Sequence, residues 1–326
     1  MKLLAAIMIL VALVPAQAQA QAQVVSVSAP DIANYQALAE QDLRLAMVGH
    51  RLALANAPFC ERKSRNPGWV LHDKAQYPDP AMAQAAFGFR LPVAVSAVVS
   101  GGAAEAMGIK PGDAIIAVNE VDFTSPNLVK EKRASARLEK LQKMLGEALD
   151  TIGTADVTFM TADGVRRVKL APLAICASRF WVDTKSKLDA GADGVSVRVT
   201  EGLMAFTADD EAQLAAVVAH EMSHNLLGHR QRLAATGNSN KQILETEIEA
   251  DRLSVWLMAN AGYDTQAALH FMERYGRRTD LGIFSAGTHL RWKNRQKVMQ
   301  REIALIQQTV SENRPLPPPL LAPGKM

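Results

Sequence analysis

His220-Glu221-Met222-Ser223-His224 sets two imidazoles four residues apart, with a carboxylate beside the first. On a helix, residues four apart lie about 40° from one another around the axis, so both rings can reach one metal ion. Glu221 is then placed to take a proton from a water that the metal activates. A catalytic zinc needs three protein ligands and one open position. The histidines supply two, and Glu247-Ile248-Glu249-Ala250-Asp251 offers carboxylates for the third. Glu247 and Asp251 are four apart on a second predicted helix, residues 241–260, and project from one face. Glu247 is the expected third ligand. Asp251 is expected to accept a hydrogen bond from the other ring nitrogen of a ligand histidine. Glu245 and Glu249 are the competing carboxylates. The chemistry expected of such a set is peptide hydrolysis with one Zn2+ per chain.

The elements that must hold these residues are written around them. Thr207-Ala208-Asp209-Asp210-Glu211 opens the first segment with a cap candidate and three acids, which a helix N-terminus favours. Leu214, Val217, Val218, Met222, Leu226 and Leu227 follow at roughly helical period. Gly228 interrupts or ends the helix, and Arg230 and Arg232 carry positive charge near its end. On an unbroken helix His229 would stand about 140° round from His224, so it is read as a helix-end or supporting residue rather than a ligand. The competing reading is a helix with merely packed histidines and a solvated acidic face.

Residues 176–308 resemble the HtpX-type zinc metallopeptidases, the gluzincin family that also contains the CAAX prenyl proteases. The matching residues are Asp209-Asp210-Glu211, His220-Glu221-Met222-Ser223-His224, Gly228-His229 and Glu247-Ile248-Glu249-Ala250-Asp251-Arg252, with Thr288-His289 and Arg295 further on. The resemblance implies that His289 lies beside the metal and stabilises the transition state or controls access, with Arg295 supporting. Family members carry a proline directly after that histidine; this chain has Leu290. Extended substrate is expected against an edge strand, for which residues 194–200 are the candidate.

A second unit precedes this one. Val93, Val95, Val98 and Val99 read as a strand, residues 101–106 as a short helix stopped by Gly108, and Lys110-Pro111-Gly112-Asp113 as a turn. Ile115, Ile116 and Val118 form the next strand. Residues 130–149 make a long helix with Leu138, Leu141, Leu145 and Leu149 on one face. Residues 154–170 make a hairpin at Asp163-Gly164. The series resembles a PDZ domain of the protease-associated kind. Such a domain adds an extended peptide to a sheet edge and captures its C-terminal carboxylate. Phe87-Gly88-Phe89 is the candidate carboxylate loop; a PDZ domain that only packs on the protease is the alternative.

Residues 1–20 read as a secretory signal, with Lys2, an apolar run and an Ala-Gln repeat. The run is too short to span a bilayer, and no other stretch qualifies. An exported, periplasmic protein follows, with secretion as the alternative. Cys60 and Cys176 are the only cysteines and form no Cys-x-x-Cys pair. In an oxidising compartment they read as a disulfide, with two buried thiols as the alternative. A net charge of +3 gives no argument for nucleic acid. The expected organisation is a signal peptide (1–20), a helical segment (30–83), a PDZ-like domain (84–173), a zinc metallopeptidase domain (174–312) and a disordered Pro-rich tail (313–326). The fold class is mixed α/β multidomain, a mainly helical gluzincin domain plus a small β-rich PDZ domain. The expected function is a zinc endopeptidase acting on unfolded or extended polypeptides in envelope quality control or maturation. The alternative is a chaperone-like adaptor working through its PDZ domain, its zinc site silent or gated by residues 276–287.

Overall fold

The computed structural model describes residues 29–125, 128, 133–279, 292–309 and 315–322. The signal-like residues 1–20, His289 and most of the 276–287 loop lie outside them.

The chain begins with helix α1 (Ala29–Ala55), then strands β1 (Lys63–Arg65) and β2 (Trp69–Asp73). Helix α2 (Pro80–Phe87), β3 (Val93–Val98), α3 (Ala103–Ala106), β4 (Ala114–Val118), β5 (Val121–Asp122), α4 (Ala136–Ile152), β6 (Ala155–Thr161) and β7 (Gly164–Leu170) follow. These build a sheet in the order β2-β3-β4-β6-β7, with β5 turned back on β4. Asn119 and Glu120 both adopt positive φ in the β4–β5 turn, the twist a tight hairpin needs. Leu138, Leu141, Leu145 and Leu149 of α4 pack on Val93, Val95, Ile115, Val157 and Phe159 to form one core. The mixed α/β class is as expected, a β-rich unit followed by a mainly helical one.

The sequence expectation starts this domain at residue 84, but its sheet starts with β2. Trp69–Asp73 is a short run whose apolar residues do not alternate, so tertiary pairing rather than local pattern makes it a strand. Helix α1 belongs chiefly elsewhere. Its Leu45, Val48, Leu52 and Ala53 enter the core of the C-terminal domain, while Tyr35 reaches the aromatic cluster beside α2.

The C-terminal domain opens with β8 (Ala174–Cys176), β9 (Arg179–Asp183), β10 (Ala190–Ala192) and β11 (Ser196–Thr200). Helices α5 (Glu201–Phe206), α6 (Glu211–Leu226), α7 (His229–Thr236), α8 (Asn240–Asn260), α9 (Gln266–Thr279) and α10 (Trp292–Thr309) complete it. β8 pairs with β1, and the Cys60–Cys176 disulfide closes the same junction with its Cα atoms 5.4 Å apart. The small sheet runs β10-β11-β9. The candidate edge, residues 194–200, therefore corresponds to the central strand; β10 and β9 are the edges, and β10 is the one that lines the cleft. An antiparallel partner on one side and a parallel one on the other leave β11 no free backbone.

The tail also departs from expectation over residues 315–322. Leu316 exchanges two backbone hydrogen bonds with the Asn260 side chain, at 2.6 and 2.9 Å, and Leu316, Leu320 and Leu321 pack on the core. Prolines lower the entropy lost on ordering, so three leucines suffice to dock a short segment.

Candidate metal centre

Helix α6 is capped by Asp210, whose carboxylate accepts from the backbone amides of Ala212 and Gln213. Its buried face, including Leu214, Val218 and Met222, faces the core, so His220, Glu221 and His224 stand on the side that lines a cleft of about 880 Å³. Helix α8 packs along α6 and carries Glu247 and Asp251 on the facing side. A capping box between Ser239 and Gln242 fixes where α8 starts.

His220 Nε2 and His224 Nε2 are 3.2 Å apart, and the Glu247 oxygens lie 3.5 Å from each. Two nitrogens bound at about 2.0–2.1 Å to one tetrahedral zinc stand about 3.3 Å apart. The three ligand atoms thus occupy spacings that a single zinc fits, and they are the metal-binding cluster found among the described residues.

The surrounding hydrogen bonds assign the ring tautomers. Asp251 Oδ1 lies 3.1 Å from His220 Nδ1, so Nδ1 carries the proton and Nε2 presents a lone pair. Behind His224 the chain is longer. His224 Nδ1 meets His229 Nδ1 at 2.8 Å, and His229 Nε2 meets Glu249 Oε2 at 3.0 Å. Burial pushes the His229 pKa down, favouring a neutral ring. Glu249, paired with Arg232 at 2.5 Å, only accepts, so a neutral His229 donates from Nε2 and accepts at Nδ1. His224 must then donate from Nδ1, leaving Nε2 free. Both histidines offer Nε2.

His229 reaches this place because α6 does not continue unbroken. Gly228 adopts φ 62° and ψ 30°, and α7 restarts beyond it. An unbroken helix would carry His229 away from its neighbours; here its ring turns back to stand behind the His224 ring, centroids 4.8 Å apart.

The charges are arranged to keep the carboxylates ionised. Burial alone would raise Glu247, but His220 and Arg295 hold it well below the usual carboxylate range. Asp251, also buried, is held low by the Arg295 guanidinium, whose Nε and a terminal nitrogen bond its two oxygens at 2.8 and 2.6 Å. Burial opposes a charged His220, yet Asp251 and Glu247 bring it up to about 10, so without a metal its Nε2 carries a proton that a metal ion would displace; burial and the charge of His220 push His224 down to about 3. Burial pushes the Glu221 carboxyl up from the usual carboxylate range.

Several contributors have no sequence signal of their own. Glu302 on α10 accepts from Arg252 at 2.5 Å and from Trp256 Nε1 at 2.8 Å, both on α8. Glu302 and Arg295 are seven apart on α10, two turns, so this clamp aims Arg295 at Asp251. Asn225, next to His224, accepts from the Gly194 amide and donates to the Ser196 carbonyl, tying the small sheet to α6. His289 falls outside the described residues. Phe87, Gly88 and Phe89 are far from an open loop: Gly88 is the left-handed cap of α2, its amide bonded to the Gln84 carbonyl. Phe89 is buried among Phe87, Tyr77 and His72.

Comparison with known families bears on these two units. Residues 81–142 match the PDZ domain model, and residues 177–244 match that of peptidase family M48. The chain carries an M48 peptidase domain behind a PDZ domain. The M48 match takes in His220, Glu221, His224 and His229 and stops short of Glu247. M48 peptidases are generally zinc-dependent, in keeping with the donor set found here. A search of curated proteins finds no significant match to the chain.

Proposed function

We propose that the chain is a zinc-dependent endopeptidase that hydrolyses extended or unfolded polypeptides. The observation carrying this reading is the spacing of His220, His224 and Glu247 in a cleft that also exposes Glu221 and the edge strand β10. When bound, zinc acts as a Lewis acid and lowers the pKa of water towards neutrality. Glu221, its pKa raised by burial, takes a proton from the attacking water and delivers it to the amine that leaves. Asp251 and the His229–Glu249 pair hold the two imidazoles in the Nε2-presenting tautomer. Arg295 fixes Asp251 and lies 3.7 Å from Glu247.

Substrate lies extended along β10, pairing through its backbone, which suits chains without folded structure. Leu203, Val217, Phe271 and Met272 give the cleft an apolar wall for a large apolar side chain. Export to a cell-envelope compartment, with quality control or maturation as the role, is supported by the disulfide, which persists in oxidising surroundings. Among the described residues no helix is long and apolar enough to cross a membrane. Nothing at the site favours the adaptor reading.

The test is zinc content and cleavage of an unfolded protein by the full chain, beside Glu221→Gln. The expected result is about one zinc in both and cleavage only by the wild type. A chain that binds no zinc, or a variant that still cuts, overturns the proposal.

A further inference from the structure

Helices α9 and α10 lie side by side and antiparallel. The Trp292 ring is pressed so closely on Gly276 that no Cβ fits there, and further along Gln296 donates to the Leu269 carbonyl at 2.8 Å. Their inner sides enter the core through Ala268, Met272, Met299, Ile303 and Ile306. Arg295 and Glu302 also turn inward, committed to Asp251 and to Arg252.

The outer side of the pair is cationic. Together the two helices carry seven arginines and lysines against Glu273 and Glu302, whereas the whole chain has an excess of only +3. The charge is therefore gathered here rather than spread over a basic surface. Lys293, Lys297 and Arg301 are exposed and four residues apart. On a helix each follows the last by about 40°, so the three form one stripe along about 12 Å of axis. Neither these three nor the exposed Arg278 meets a carboxylate among the described residues.

Trp292 joins this face to the cleft. The Arg277 guanidinium carbon and Lys293 Nζ stand 6.0 and 5.4 Å from its ring centroid, within reach of a cation–π attraction. The same residue lines the cleft that holds His220 and Glu221. Two parallel helix axes present their charge as a plane and not as a groove. Single-stranded nucleic acid is held by aromatic platforms interleaved with charge, and here Trp292 stands alone at one end, already flanked by two cations. A plane of unpaired cations with a tryptophan at its border matches an anionic headgroup layer.

We propose that the outer face of α9 and α10, with Lys293, Lys297, Arg301 and Arg278 at its centre, docks this protein on an anionic lipid surface and so brings the cleft beside the bilayer.

The test is co-sedimentation with phosphatidylcholine vesicles made with and without phosphatidylglycerol. The full chain is run beside a chain beginning at residue 21, which separates this docking from binding through the apolar residues 3–14. The shorter chain is expected to bind the phosphatidylglycerol vesicles, to be released by high salt, and to ignore phosphatidylcholine alone. Each cation close to such a surface strengthens binding about fivefold. Replacing Lys293, Lys297 and Arg301 together by glutamine should therefore weaken it at least tenfold, with circular dichroism unchanged. The control replaces Lys143, Arg167 and Lys241 by glutamine, three exposed cations on other elements, and should keep its affinity within about twofold because the surface field fades over a Debye length. Equal loss in the control overturns the proposal, as does a triple variant that binds like the wild type. Binding that needs residues 1–20, or that is equal on both vesicles, also overturns it. So does capture of single-stranded nucleic acid by a chain that ignores the vesicles.

Discussion

The His229→Ala substitution tests the reasoning about tautomers most directly. His229 touches no bound group; it stands behind His224, 2.8 Å from its Nδ1, and is itself bonded to Glu249. Without it, the His224 Nδ1–H loses its acceptor in a buried place, and an unmet buried donor costs about 1–3 kcal/mol. The ring can escape that cost by moving its proton to Nε2, but that nitrogen is the one a metal needs. Either way zinc affinity falls, by about 10–100-fold, or about 1.4–2.7 kcal/mol. The assay is competition with a chromophoric zinc chelator at neutral pH, with folding checked by circular dichroism. Glu245→Gln is the control, because Glu245 is on the same helix but its side chain is more than half exposed. Glu249→Gln should fall between the two, since an amide oxygen still accepts from His229. Zinc affinity unchanged in His229→Ala would refute the relay, whatever happened to activity.

Other consequences follow from the same structure. Arg295→Gln leaves Asp251 and Glu247 as buried anions without their cation, so the metal-free protein should lose about 3–5 kcal/mol in urea unfolding. Asp42, half-buried with the Val182 amide as its partner, has its pKa raised to about 6 by desolvation. A carboxyl raised in the folded state is destabilising once ionised. Stability should therefore fall as pH rises from about 4 to about 6, and Asp42→Asn should recover about 2–3 kcal/mol at pH 7 and nothing at pH 3.5. Equal gains at both pH values would refute this. Replacing Cys60 and Cys176 by serine should cost about 2–5 kcal/mol, read as a lower urea midpoint, because the bond closes a long loop.

The peptidase helices were legible because their periodicity, caps and ligand spacing are local properties. α6 and α8 lie close to where the apolar stripe and the acid spacing put them. The strands at the domain junction were not. β2 is five residues long and owes its state to β3 and α4, which no window of sequence around it contains. Likewise, the edge position belongs to β10 rather than β11 because of pairing between distant residues, and both strands look alike taken singly.

The supporting shell of the metal site divides the same way. Asp251 could be placed from sequence because it shares a helix face with Glu247, one turn away. Glu302 could not, because its role depends on α10 crossing α8 at the point where Arg252 and Trp256 meet it. His229 is the intermediate case. Its place was computed on a continuous helix, and a single left-handed residue at Gly228 changes the direction of everything after it. Glycine is the residue that adopts this conformation without steric penalty. The same Gly228 that ends α6 is therefore what lets His229 turn back and set the proton on His224.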